Sequence, residues 1–97
     1  MISVRRRLLL QILIETKDGV SELNYLRDGL RVTDEVFDNL ILELTESKTI
    51  TLSDNTVMLT LSQRLDVAVK ALESGADIEV VSRSLTWLEF ETLRTSV

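Results

Sequence analysis

The chain has 97 residues, is 44% hydrophobic, and sets 11 Lys and Arg against 16 Asp and Glu for a net charge of −5, with no His, Cys or Pro. That length holds one small domain with a modest core, too apolar for disorder, and the absence of Cys and His excludes a disulfide framework, a zinc site and any Cys–His or Ser–His nucleophile. A pI near 4.6 argues against sequence-independent binding to nucleic acid or a membrane surface by the whole molecule, although a local basic patch stays compatible with it.

The first predicted element is a helix over about Val4–Lys17, with Gly19 just past its end. It opens on Arg5, Arg6 and Arg7, which cover roughly 200° of helix surface. The apolar run that follows, Leu8–Ile14, is broken by Gln11 and is far too short for a membrane span. Arginines before an apolar stretch resemble a signal peptide in outline, but no small-residue cleavage site follows and Glu15–Asp18 is charged, so a folded helix is expected. Nearly every side of this helix is apolar, which calls for cover on several sides. That need argues for a homodimer burying it against its mate or against the C-terminal helices.

Ser21 is expected to cap a second helix over Glu22–Asp28, with Val20 stapled onto Tyr25 and Gly29 ending it. Gly29–Val32 is short enough for the turn of a helix-turn-helix. Thr33 caps the third helix, Thr33–Ser47, whose Asp34 and Glu35 suit the positive end of the helix dipole. Alternation then predicts a hairpin: Ile50 and Leu52 in one strand, Val57, Leu59 and Leu61 in the other, joined by Ser53-Asp54-Asn55-Thr56. A fourth helix, Ser62–Ser74, ends at Gly75. Asp77 caps a fifth, Ile78–Ser84, and Thr86-Trp87-Leu88-Glu89 is a capping box that opens a last helix, Trp87–Thr95.

This order predicts a mainly α fold: a winged helix-turn-helix of three helices plus a hairpin wing, with additional C-terminal helices. The chain reads as a single domain, 1–97, with a core over about 4–61 and a helical extension over about 62–97.

Helix 3 carries the functional question. Val36, Phe37, Leu40, Ile41 and Leu44 form its apolar stripe. The opposite face shows Glu35, Asp38, Asn39, Leu42, Thr45 and Glu46. In a DNA-binding winged helix that face reads bases, and Asn39 suits adenine while Thr45 suits a phosphate. The acids would oppose a phosphate lattice. Leu42, apolar among acids, suits a protein partner, although an ordinary solvated acidic face accounts for the same residues. The wing tip, Asp54-Asn55, brings no positive charge, and Lys48 is the nearest cation, so the wing reads as structural.

Two residue sets follow. Arg5, Arg6, Arg7 and Asn39 are the candidates for duplex DNA. Glu35, Asp38, Leu42 and Glu46 are the candidates for a protein partner. Arg5–Arg7 of one copy facing helix 3 of another is a third arrangement. Among sixteen carboxylates, pairs such as Glu35/Asp38 and Glu89/Glu91 arise at helical spacing by chance. With no phosphate loop or nucleophile motif the expectation is no enzyme, no metal and no cofactor.

The tail carries a family resemblance. Gly75-Ala76-Asp77 and the run Val81-Ser82-Arg83-Ser84-Leu85-Thr86-Trp87-Leu88-Glu89-Phe90-Glu91 resemble the segment leading into the catalytic core of archaeal restriction-endonuclease-type nucleases. In those proteins a small winged-helix domain precedes a helix with a Leu-Thr-Trp-x-x-Phe-Glu pattern. The resemblance implies that Glu91 corresponds to the glutamate opening such a core. The Asp and Glu-x-Lys that complete the metal site have no counterpart here, so the implied role is a non-catalytic N-terminal part or a stand-alone relative of it. Read from the residues alone, Trp87 and Phe90 anchor the last helix, Glu89 caps it and Glu91 is solvated.

The whole predicts a non-enzymatic interaction module of prokaryotic nucleic-acid metabolism or transcription, cytoplasmic, with duplex DNA, a protein or a second copy as partner and no membrane. Few side-chain amides, no Cys and short loops point weakly to a thermophile.

Overall fold

The computed structural model describes residues 3–95. Helix α1 (Val4–Glu15) runs through the middle of the molecule and meets α2 (Leu23–Leu30) and α4 (Leu61–Glu73). Its Leu8, Leu9, Ile12 and Leu13 are fully buried, a stripe at i, i+1, i+4 and i+5 that faces both neighbours. The apolar girth of α1 is therefore covered within one chain, apart from half-exposed Ile14, and supplies no reason for a second copy.

Helix α3 (Asp34–Glu46) buries Phe37, Ile41 and Leu44 and half-buries Leu40. Val36, expected in the same stripe, is 41% exposed; it lies 100° round the helix from fully buried Phe37, at the edge of the stripe. Thr33 caps α3 as expected, its hydroxyl accepting from the Val36 amide at 3.3 Å. Strands β2 (Thr51–Ser53) and β3 (Thr56–Met58) form the expected hairpin. Asp54 and Asn55 at its tip both take positive φ, 49° and 63°, the two-residue turn whose twist matches antiparallel strands.

Two expectations are corrected upstream. Val20–Glu22 is a strand, β1, rather than a cap and staple, and it pairs antiparallel with β3 to give the sheet order β1-β3-β2. Ser21, opposite Val57, is buried by that pairing. Gly29 does not end α2, which runs on so that Leu30 reaches the core. Arg31 takes the left-handed conformation instead, with φ 53°. Gly29 lies inside the helix, and a Cβ there would make ordinary van der Waals contact with the Gln11 side chain of α1, at 3.4 Å.

A capping box at Thr60 and Gln63 starts α4. The Gln63 amide group also donates to the Lys48 carbonyl and to Thr51 Oγ1, tying α4 to the hairpin. Gly75, at φ 95°, turns the chain into α5 (Ile78–Arg83) and then α6 (Trp87–Thr95). Val81, Leu85 and Leu93 close the core from that side.

Candidate protein-interaction surface

The three consecutive arginines disperse over their own chain. Arg5 makes a salt bridge with Glu43 of α3. Arg6 Nη1 donates to the Gly75 carbonyl at 2.9 Å, and Arg7 Nη2 to the Leu30 carbonyl at 2.6 Å. α1 thus grips α3, the turn after α4 and the end of α2 with one guanidinium each. The attraction between Arg5 and an acidic helix 3 is met within a single copy.

The outward face of α3 keeps the character read from its sequence. Glu35, Asp38, Asn39, Leu42 and Glu46 are all exposed, and Leu42 retains 54% of its surface. Arg27 of α2 lies beside this face, 3.4 Å from both Asp34 and Asp38, with its guanidinium 5.0 Å above the Phe37 ring. Ion pairs thus balance Asp34, Asp38 and Glu43. Glu35 and Glu46 have no ion-pair partner among the described residues. Thr45, considered for a phosphate, donates back to the Ile41 carbonyl at 2.7 Å.

The C-terminal helices hold the feature that sequence reasoning missed. Arg64 of α4 is buried, and all three of its guanidinium nitrogens donate. Its Nε donates to Glu89 Oε2 at 2.6 Å, Nη1 to Thr16 Oγ1 at 2.8 Å and to the Leu13 carbonyl at 3.3 Å, and Nη2 to the Ser84 carbonyl at 2.9 Å. The other Glu89 oxygen accepts from the Thr86 amide at 2.9 Å, while the Glu89 amide donates to Thr86 Oγ1. The capping box expected at Thr86 is therefore present, and its carboxylate is also the counter-ion of a buried arginine. No local signal announces this, since the partners lie 25 residues apart.

Trp87 does not anchor α6, as expected from its spacing with Phe90; it is 76% exposed, and Leu88 beside it is 61% exposed. Phe90 is half-buried. Glu91 pairs with Arg94 at 2.8 Å, and that hydrogen bond raises the pKa of the Arg94 guanidinium above its usual value. Among the described residues no cluster of three or more Asp or Glu is placed to hold a metal ion. No described helix is long and apolar enough to cross a membrane.

No protein-family model, curated protein or solved structure matches the chain.

Proposed function

We infer that the chain is a winged-helix module that binds protein through the outward face of α3 rather than DNA. The winged-helix reading is supported by the order helix, strand, helix, helix, hairpin and by the sheet order β1-β3-β2. One observation carries the choice of partner. The face that a winged helix presents to a groove bears Glu35, Asp38 and Glu46 around exposed Leu42, and the two arginines that reach α3, Arg5 and Arg27, are held by its Glu43, Asp34 and Asp38. A DNA interface needs cations free to displace counterions from phosphate, whereas an apolar centre inside a polar rim is the pattern of a protein interface.

The reading keeps the non-enzymatic role and a place in prokaryotic nucleic-acid metabolism or transcription, with self-association of the module. Fluorescence anisotropy with labelled duplex DNA tests it: no binding is expected even at low salt. Binding at micromolar concentration or tighter that weakens with added salt would overturn it and return Arg5–Arg7 and Asn39 to first place.

A further inference from the structure

We propose that two copies of this chain pair through the outer face of α5 and α6, across a two-fold axis. Val81 turns the inner side of α5 into the core. Ile78, Glu79, Ser82 and Arg83 are left on the outside, where they line a shallow apolar groove with Phe90 of α6. Trp87 lies one turn before Phe90, so the two share a side of α6. An aromatic and aliphatic centre edged by a few charges is the composition of a protein interface, and Trp and Arg are its commonest anchors. A standard interface takes about 800 Å² from each partner, and one buried Trp supplies ~150–250 Å² of it.

The charges choose the occupant. Glu79 and Arg83 stand four apart on α5, yet make no ion pair with each other. Arg83 Nε donates to the Glu79 carbonyl at 3.3 Å. Among the described residues, the Glu79 carboxylate and both terminal nitrogens of Arg83 have no partner. Antiparallel pairing of two α5 helices sets Glu79 of one copy against Arg83 of the other, twice. A face with one charge of each sign in this order is complementary to itself. A uniformly acidic or basic partner would meet a like charge on it. The α3 face, with Leu42 and the unpaired Glu35 and Glu46, is made of other residues, so the pairing does not depend on what α3 binds.

Trp87 is the sole tryptophan, so its emission reports on this face alone. The experiment follows sedimentation velocity and Trp emission of the full chain over a rising concentration series. Monomer should convert to dimer as the emission moves to the blue at the same concentrations. E79R and R83E should each weaken the dimer about tenfold or more, and the E79R/R83E double variant should restore it. W87A, at a position that is 76% exposed, should weaken the dimer by a similar factor. A monomer at high micromolar concentration, a dimer whose emission stays that of an exposed indole, or a double variant no better than the singles would overturn the proposal.

Discussion

Arg5, Arg6 and Arg7 stand side by side in sequence and disperse in space, whereas Arg64 stands alone in sequence and gathers three segments onto its own helix. The first three reach outward to separate elements from a partly exposed helix surface. Arg64 is buried and draws the end of α1, the end of α5 and the start of α6 onto one guanidinium. The difference shows that a cluster of charges along the chain need not be a cluster on the surface. The arginine that matters most to the fold is the one that no neighbouring residue marks.

That contrast can be broken most forcefully at Glu89. Glu89→Ala strips the buried guanidinium of its counter-ion and removes the α6 cap. The expected loss is about 3–5 kcal/mol, or roughly 12–24 °C in Tm by calorimetry, for a domain of this size. Replacing Arg64 and Glu89 together by Met and Leu should cost clearly less than the two single losses added, because no bare charge is left behind. Equal additivity would show that the pair is not coupled. Arg7→Ala leaves the Leu30 carbonyl without its donor and should cost about 1 kcal/mol in urea unfolding. Arg5→Ala breaks a half-exposed ion pair and should cost about 0.5 kcal/mol, shrinking further in high salt. Leu42→Asp should stay within about 0.5 kcal/mol of the parent chain, as exposed positions do, while abolishing capture of any partner that uses α3. A larger loss of stability would show that Leu42 belongs to the core.

How much of this was legible follows from range. The Asp54-Asn55 tip and the caps at Thr33, Asp77 and Thr86 are local devices, and each is present as expected. So is the outward set of Glu35, Asp38, Leu42 and Glu46, because helical period alone decides it. β1 escaped because three residues are too few for a period-two signal and its partner, β3, lies 36 residues further on. Ser21 before a helix has the look of a cap until that partner is known. Glycine usually marks a helix end, and at Gly29 the burial of Leu30 overrides that preference. The spacing of Trp87 and Phe90 points to a shared anchor for α6, but spacing puts two aromatics on one side without deciding how deep each sits, and Trp87 is exposed. The outward arginines were legible as charges but not as partners, since Gly75 and Glu43 meet them only through the tertiary fold.

The double use of Glu89 has a consequence for motion. Helix ends ordinarily fray, but the first turn of α6 cannot open without stripping Arg64 of its counter-ion in the interior. The Glu89 and Phe90 amides, which donate to Thr86, should therefore exchange with solvent deuterium only through global unfolding. Trp87 and Leu88 are then carried on a backbone that is already still. A surface that grips them does not have to freeze it, and little of its affinity is spent on ordering.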